Sequence, residues 1–275
     1  MVLDCHLHIV DGPVQQQRLL KSLNSIGMDG AAMFSLPPES MVTFKGPKGA
    51  ADRLDNLFKW TSGVETFFPF FWIDPTEEDA LQQVQMAVQR GVVGFKCICN
   101  HFYPGDAKAM DVFRAIAKSG RPIMFHSGIL WDGTASSKYC RPSEFEAMLD
   151  VPQLRFALAH VSWPWTDECI AVYGKFLAAF RARPELSCEM FIDITRGTPA
   201  IYRKNVLETM FTIGYKIEDN AMFGTDGRSS TDFTDGYQEH VATDNAILES
   251  VGLSRQAREK VFSQNLLQRF IWKKA

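Results

Sequence analysis

The stretch from residue 2 to residue 10, Val2-Leu-Asp-Cys-His6-Leu-His8-Ile-Val10, is an apolar run with two histidines two positions apart. A short apolar run of this kind is typical of a buried β-strand. Since side chains alternate between the faces of a strand, His6 and His8 are expected to leave it on the same face. Two imidazoles converging in this way can chelate one divalent ion, and imidazole suits zinc or iron better than magnesium or calcium. A metal bound at the first strand is the leading hypothesis, and a pair of core histidines is the alternative.

Seven further apolar runs follow at fairly regular intervals, separated by longer segments with helical periodicity. The eight predicted strands are residues 2–8, 30–34, 66–73, 94–98, 122–126, 154–160, 186–194 and 221–225. The predicted helices are residues 16–26, 76–89, 107–118, 142–149, 166–182, 199–213 and, as the last one, 254–272. Alternating strands and helices imply a parallel sheet, and a length of 275 residues favours closing that sheet into a barrel. The sequence therefore predicts an α/β fold, a (β/α)8 TIM barrel with a C-terminal helical extension, as one domain over residues 1–275.

Composition and charge narrow the classes of partner. The formal net charge is −3 and no basic stripe interrupts the mixed charges, so nucleic-acid binding has no electrostatic support. No apolar run approaches the roughly 20 residues that a membrane span needs, and no signal-peptide pattern precedes the first strand. The six cysteines show no Cys-x-x-Cys spacing, which is typical of reduced, buried thiols. We expect a cytoplasmic protein that acts on a small-molecule substrate, without a nucleic-acid or membrane partner.

Three polar residues lie where predicted strands end. His126 closes the fifth strand, His160 closes the sixth, and Asp226 directly follows the eighth. In a TIM barrel the functional side chains lie at the carboxyl ends of the strands, so these three are expected to meet His6 and His8 at one rim. Each taken singly has another explanation, such as capping a helix or forming a turn. Together the five residues predict a shared metal site, covered by the irregular stretches 35–47 and 132–141.

These residues carry a resemblance to a known family. The phrases concerned are Asp4-Cys-His-Leu-His8, Gly94-Phe-Lys96, Ala159-His160, Gly224-Thr-Asp226 and the terminal Asn265-Leu-Leu-Gln-Arg269-Phe270. They resemble the amidohydrolase superfamily and, within it, the amidohydrolase-related family 2 branch. That branch includes hydrolases, lactonases and aminocarboxymuconate-semialdehyde-type decarboxylases. The resemblance covers nearly the whole chain.

The resemblance implies that His6, His8, His126 and Asp226 ligate one divalent ion, with zinc as the expected identity. It implies that His160 is the nearby acid, base or electrophile, and that Asp226 is also catalytic because it takes the proton of an activated water. The predicted function is metal-dependent hydrolysis of an amide, lactone or ester bond in a small, carboxylated substrate. Two alternatives stay open: non-oxidative decarboxylation at the same site, and a barrel that binds metal or ligand without turnover.

Four residues are candidates for contact with the substrate. Lys96 would contact a substrate carboxylate; in several relatives a carbamylated lysine at this strand bridges two metal ions, so a two-metal site is the minor alternative. Arg196 and Arg228, just past the seventh and eighth strands, are candidate anchors for a carboxylate or phosphate. Trp163 is a candidate wall of the substrate pocket. Relatives of this branch are often dimers, so the resemblance adds a homodimer to the expected partners.

Overall fold

The protein is described here by a computed structural model that covers residues 1–41, 49–184, 188–234 and 236–272. Two predicted segments, the strand at 186–194 and the irregular stretch at 35–47, lie partly outside the described residues. The described strands are β1 (Leu3–His8), β2 (Gly30–Phe34), β3 (Phe67–Trp72), β4 (Gly94–Cys97), β5 (Ile123–Phe125), β6 (Arg155–Leu158), β7 (Glu189–Asp193), β8 (Ala221–Met222) and β9 (Gly227–Arg228).

All strand pairs in this sheet are parallel, and the strand order is β8-β7-β6-β5-β4-β3-β2-β1-β9. Of the strand predicted at 221–225, Ala221–Met222 forms β8, which pairs with β7. The short strand β9 follows outside the predicted range and pairs with β1. Between β8 and β9 the carbonyl oxygen of Phe223 accepts a hydrogen bond from the backbone N–H of Cys5, at 2.9 Å. The sheet thus curls round until its last strand meets its first, and the predicted TIM-barrel-like α/β fold is confirmed.

Helices connect the strands and cover the sheet. They are α1 (Gln16–Ser25), α2 (Ala50–Thr61), α3 (Ala80–Arg90), α4 (Ala107–Lys118), α5 (Thr166–Ala182), α6 (Ala200–Thr212), α7 (His240–Ser250) and α8 (Arg255–Glu259), which continues as a π-helical segment, Lys260–Ile271. The helix predicted at 142–149 is a 3₁₀ segment, Pro142–Asp150. The helix predicted to start at residue 76 starts at Ala80, because the backbone N–H of Thr76 donates to the Asp74 carboxylate at 2.8 Å in a turn. None of the helices in the described ranges is long and apolar enough to span a membrane.

The C-terminal segment fills the end of the barrel where the strands begin. The ring of Phe270 packs against Phe191 and Phe70, with centroids 5.1 and 6.3 Å away. Arg155, the first residue of β6, donates from Nε to the carbonyl oxygen of Phe270 at 3.0 Å. Asn265 donates to the carbonyl oxygen of Ala221, the first residue of β8, at 2.7 Å. Because this end is closed by apolar rings, a ligand reaches the barrel interior from the opposite end, where the strands finish.

Candidate metal centre

The two histidines of β1 converge with an aspartate from the other edge of the sheet. The Nε2 atoms of His6 and His8 lie 3.1 Å apart. Each of them lies 3.5 Å from Oδ1 of Asp226, which stands between β8 and β9. The pairing of β9 with β1 brings this carboxylate next to the histidines, because His8 is directly opposite Arg228 in the register. Two imidazoles and one carboxylate therefore form a compact triangle of potential ligand atoms.

The size of this triangle fits a divalent transition ion. Zinc binds imidazole nitrogen and carboxylate oxygen at about 2.0–2.2 Å with tetrahedral geometry, which places neighbouring ligand atoms about 3.3–3.6 Å apart. The sides of 3.1, 3.5 and 3.5 Å are close to that spacing. A donor set of two nitrogens and one oxygen also suits zinc and related ions. The residues present thus fit the metal that the sequence predicts.

A buried aspartate that sequence reasoning missed orients the first histidine. Oδ2 of Asp193, the last residue of β7, lies 2.6 Å from Nδ1 of His6, and both side chains are almost fully buried. The other oxygen, Oδ1, accepts hydrogen bonds from the backbone N–H and the hydroxyl of Thr195. Because Asp193 accepts the proton on Nδ1, the lone pair of His6 is left on Nε2, the atom that faces His8. The carboxylate therefore holds His6 in the tautomer that binds metal.

A second buried aspartate holds the two edges of the sheet together at the site. Asp4 of β1 accepts hydrogen bonds from the backbone N–H of His6 at 2.8 Å and from the backbone N–H of Thr225 at 3.0 Å. The hydroxyl of Thr225 also donates to it. Burial raises the pKa of Asp4 from 3.8 to about 7, while the bonds from Thr225 and His6 oppose that shift. Asp226, which directly follows Thr225 in the chain, adopts a left-handed backbone with φ of 58°, and this turns its side chain out of the strand direction.

His160 lies in a strained turn at the end of β6. His160, Val161 and Ser162 have φ values of 63°, 47° and 54°, and such values are rare for a β-branched residue like Val161. The hydroxyls of Ser162 and Ser127 lie 2.7 Å apart and tie this turn to the end of β5. A Cβ added to Gly197 would lie 2.7 Å from Cβ of His160, so the neighbouring loop fits the turn only with glycine at that position. Strain that is held in place in this way is common at functional sites.

The other two predicted site histidines, His126 and His160, lie next to the triangle. The ring centroid of His160 is 5.0 Å from that of His6 and 5.1 Å from that of His126. His6, His160 and Asp226 each place one potential ligand atom within 4.8 Å of the others. Nε2 of His126 lies 3.3 Å from the carbonyl oxygen of Ile129. The structure thus brings His126 to the same place as the other four predicted residues, with one of its ring nitrogens facing a backbone acceptor.

Burial keeps these imidazoles neutral. It lowers the pKa of His6, His8 and His160 well below their usual value, and the charge of Lys96 lowers them further. For His126, burial and Lys96 lower the pKa to about 3. A metal ligand must offer a free lone pair, so neutral imidazoles are ready to bind at neutral pH.

The pKa values of the two charged side chains, Asp226 and Lys96, are both shifted in favour of the neutral form. Burial raises the pKa of Asp226 from 3.8 to about 7, against the opposing effect of Lys96. Burial lowers the pKa of Lys96 from 10.5 to about 8, and the nearby carboxylates of Asp193 and Asp226 oppose that change. Nζ of Lys96 lies 3.4 Å from Nε2 of His6 and 5.0 Å from the ring centroid of Phe34. Lys96 therefore places an ammonium group beside the candidate metal ligands.

A cavity of about 340 Å³ opens onto these residues, which is large enough for a small organic molecule. Its lining consists of His6, His8, Met41, Trp72, Lys96, Ile98, His126, Leu130, Trp131, Asp132, His160, Asp226 and Arg228. Of the predicted substrate contacts, Lys96 and Arg228 line it. Sequence reasoning did not single out Trp72 and Trp131, although a tryptophan ending an apolar strand is a visible signal for the first.

Two predicted substrate-binding residues lie elsewhere. Trp163 is half-buried in the turn after His160, and its carbonyl oxygen accepts a hydrogen bond from the backbone N–H of Ile129 at 3.0 Å, but the residue is not part of this cavity's lining. Arg196 lines a separate cavity with Arg203 and His240. Both residues follow strands at the rim where the strands end, but neither lines the cavity of the candidate metal centre.

Comparison with known proteins places this geometry in context. A crystal structure of 2,6-dihydroxybenzoate decarboxylase has a TM-score of 0.66 at 14% sequence identity, covering 99% of this chain and 98% of that one. A probable 2-pyrone-4,6-dicarboxylic acid hydrolase from Acinetobacter baumannii has a TM-score of 0.64 at 12% identity, covering 98% of each chain. An amidohydrolase from Burkholderia multivorans with bound zinc has a TM-score of 0.63 at 13% identity, covering 97% of each. At these identities the similarity shows the fold alone.

Sequence comparison is more specific. No curated protein matches this sequence. The family model described as amidohydrolase, however, matches residues 3–265, which include every residue of the triangle and both buried aspartates. The chain belongs to the amidohydrolase family.

Proposed function

We propose that this protein is a metal-dependent hydrolase that cleaves an amide, lactone or ester bond of a small, carboxylated substrate. The observation that carries the proposal is the triangle of His6, His8 and Asp226, with sides of 3.1, 3.5 and 3.5 Å, at the base of an open cavity. We propose one divalent ion, with zinc as its expected identity and His126 as the fourth ligand. Bound there, the ion would lower the pKa of a water molecule towards about 7 and polarise a carbonyl group.

Asp226 is the proposed general base. Its side chain is 40% exposed to the cavity, whereas His6 and Asp193 beside it are almost fully buried. A carboxylate so placed accepts a proton from the attacking water as the water oxygen bonds to the substrate carbonyl carbon. The same carboxyl group then returns the proton to the leaving nitrogen or oxygen when the carbon–heteroatom bond breaks.

His160 is the proposed stabiliser of the oxyanion. Its ring is neutral at neutral pH because burial lowers its pKa, and its Nδ1 has no hydrogen-bond partner among the described residues. A neutral imidazole carries one N–H, which can donate to the negative charge that develops on the substrate oxygen.

The walls of the cavity favour a flat substrate with a negative group. Trp72 and Trp131 supply aromatic surface, and Trp131 is 82% exposed at the cavity mouth. Lys96 inside the cavity and Arg228 at its rim supply two positive charges for a carboxylate. A carboxylated ring or a compound of similar shape meets both requirements.

Decarboxylation is the second candidate, and the position of Lys96 favours it. Its Nζ lies 3.4 Å from Nε2 of His6, so a carboxylate held by this lysine would lie directly beside the ligand atoms. That carboxylate would then be lost as carbon dioxide and leave its bonding electron pair on the carbon. A solvent proton carried by the carboxyl group of Asp226 would bond to that carbon, while the N–H of the neutral His160 ring would stabilise the negative charge. The two similar structures, a decarboxylase and a probable hydrolase, share the fold and do not separate the two reactions.

Metal content is the first measurement, on protein purified without added metal or chelator. About one equivalent of zinc is expected, and the double variant His6→Ala/His8→Ala should lose it. His101→Ala is the matched control, because His101 is exposed and bonds to Thr76 outside the cavity. Near two equivalents would instead support the carbamylated Lys96 model. No metal, even after reconstitution, would reject the mechanism.

Product analysis then separates the two reactions. The metal-loaded protein is incubated with 2,6-dihydroxybenzoate, 2-pyrone-4,6-dicarboxylate and related carboxylated lactones and amides. Release of carbon dioxide identifies the decarboxylase, whereas a new carboxylate and no gas identify the hydrolase. His160→Gln should keep the metal and lose about 10²–10⁴-fold in turnover, whereas His126→Ala should weaken metal binding. The opposite pattern would exchange the roles of these two histidines.

A further inference from the structure

A second cavity, of about 290 Å³, lies beyond the carboxyl end of β7 and shares no lining residue with the metal-centre cavity. Arg196, three residues past the end of β7, forms one wall. The first residues of two helices, Ala200 of α6 and His240 of α7, form others. Nothing in the proposed reaction uses these groups.

The cavity holds two guanidinium groups with unused hydrogen-bond donors. Arg203 is 3% exposed, and its Nε and Nη2 atoms donate to the carboxylate of Asp244, Nε at 3.0 Å. In the described part of the chain, neither Nη1 of Arg203 nor Nε of Arg196 has a hydrogen-bond partner. A buried donor without an acceptor costs about 1–3 kcal/mol, so such groups usually serve a ligand or water. Asp244 pairs directly with Arg203, whereas the charge of Arg196 is offset only from a distance, by Asp244 and Glu239.

Two helices direct their positive ends at the same space. α6 and α7 both begin at the cavity, and neither Pro199 nor Glu239, the residues at their N-caps, supplies a side-chain cap. The first-turn N–H groups of a helix have no partner within the helix and attract anions. Two of these N–H groups are already bonded, Tyr202 to Pro199 and His240 to Tyr237, so the helices add the positive ends of their dipoles to the charges of Arg196 and Arg203.

Two titratable residues besides the arginines line this cavity, His240 and Glu239, and they contribute to its net charge. Burial and, after it, the charge of Arg196 lower the pKa of His240 to about 4, so this ring is neutral at pH 7 and adds no positive charge to the cavity. Glu239, exposed at the rim, is the one acid that faces the cavity among the described residues that line it. It weakens the attraction for an anion without filling the interior.

We propose that this cavity is a binding site for a small oxyanion, the phosphate or carboxylate group of a metabolite, separate from the metal centre. Planar guanidinium donors suit both groups because they bind two oxygens at once. The volume of about 290 Å³ accommodates a phosphate ester or a dicarboxylate of a few carbon atoms.

The test is isothermal titration calorimetry of the metal-loaded protein with inorganic phosphate and, separately, with succinate, at constant ionic strength set by chloride. Saturable binding is expected for at least one of the two, and the preferred anion shows whether the natural ligand carries a phosphate or a carboxylate. Arg196→Gln should weaken this binding about 10- to 100-fold, the value of a charge-assisted hydrogen bond. Glu239→Gln should strengthen it about two- to fivefold, because an opposing surface charge is removed.

Arg228→Gln is the matched control, since Arg228 lines the metal-centre cavity. A binding component that falls in Arg228→Gln and persists in Arg196→Gln belongs to that other cavity. The proposal is overturned if neither anion binds saturably, if Arg196→Gln binds as the wild type does, or if Glu239→Gln fails to strengthen binding. Because the two test variants change affinity in opposite directions, a folding defect in Arg196→Gln leaves the Glu239→Gln result to decide.

Discussion

Replacing Asp193 by asparagine tests the role of the buried carboxylate behind His6. One oxygen of Asp193 accepts from Nδ1 of His6 at 2.6 Å, and the other accepts from the backbone N–H of Thr195 at 2.7 Å. Both oxygens are acceptors, and asparagine has only one. If the amide NH₂ faces His6, the ring must carry its proton on Nε2, the atom proposed to bind metal. If the NH₂ faces Thr195, two donors meet in a buried space.

The expected loss follows from these contacts. Removing the carboxylate behind a metal-binding histidine weakens metal affinity about 10- to 100-fold, or about 1.4–2.8 kcal/mol. The disturbed hydrogen bonds in Asp193→Asn should also lower the free energy of unfolding of the metal-free protein by about 1–3 kcal/mol. The assay for affinity is competition for zinc with a chromophoric chelator, which does not depend on knowing the substrate. Urea denaturation of the metal-free protein gives the second quantity.

The control is Asp132→Asn. Asp132 lines the same cavity, but its carboxylate accepts hydrogen bonds from Thr134 and Ser136. Its zinc affinity should stay within about twofold of the wild type. Equal affinities in Asp193→Asn and the wild type would refute the assignment of the His6 tautomer.

Three further perturbations test the packing and the second cavity. Gly94→Ala should lower the free energy of unfolding by about 1–3 kcal/mol, because a Cβ there would lie 2.2 Å from Cε1 of Phe70; an unchanged urea midpoint would contradict this. Arg203→Met should cost about 3–5 kcal/mol, since it strips the buried Asp244 carboxylate of its guanidinium partner. The double variant Arg203→Met/Asp244→Leu should recover much of that loss. If the double variant is as unstable as Arg203→Met, the unpaired carboxylate of Asp244 is not the cause of the loss. Burial lowers the pKa of His240 from 6.5 to about 4. The free energy of unfolding is therefore unaffected by this residue above pH 6.5, and it falls by up to about 3 kcal/mol as the pH falls towards 4. His240→Gln should therefore lose less stability than the wild type between pH 7 and 4.5 in urea denaturation, and parallel losses would disprove the assignment.

Much of the architecture is predictable because a parallel barrel turns sequence position into spatial position. Every strand ends at the same rim, so His126 and His160 could be placed beside His6 without knowing the strand register. The short strand β9 after the predicted eighth strand was harder to predict, because its position beside β1 involves Thr225 donating to the distant Asp4. The β-strand propensity of a segment carries no information about a hydrogen-bond partner that is distant in the sequence.

The strand-end rule does not say which way a loop directs its side chains. Arg196 and Trp163 follow their predicted strands as closely as Arg228 follows the strand predicted at 221–225, but only Arg228 lines the metal-centre cavity. Asp193 was missed for a different reason: its segment is apolar, and the prediction recorded only a buried strand. Burying a carboxylate without a partner costs free energy, so an aspartate in a buried strand predicts a nearby hydrogen-bond partner. That expectation could have singled out Asp193.

The closing contact of the barrel has a consequence for how the protein is made. Asp4 and its partner Thr225 are 221 residues apart, and β1 gains its second neighbour only when β9 arrives. During synthesis, β1 exposes an unpaired edge until nearly the whole barrel has left the ribosome, which favours mispairing with other chains. The proposed ligands His6 and Asp226 lie on the two sides of this closing seam. An ion held by both residues would link its own binding to ring closure, so a supply of the proposed metal would draw the nascent barrel towards its closed form.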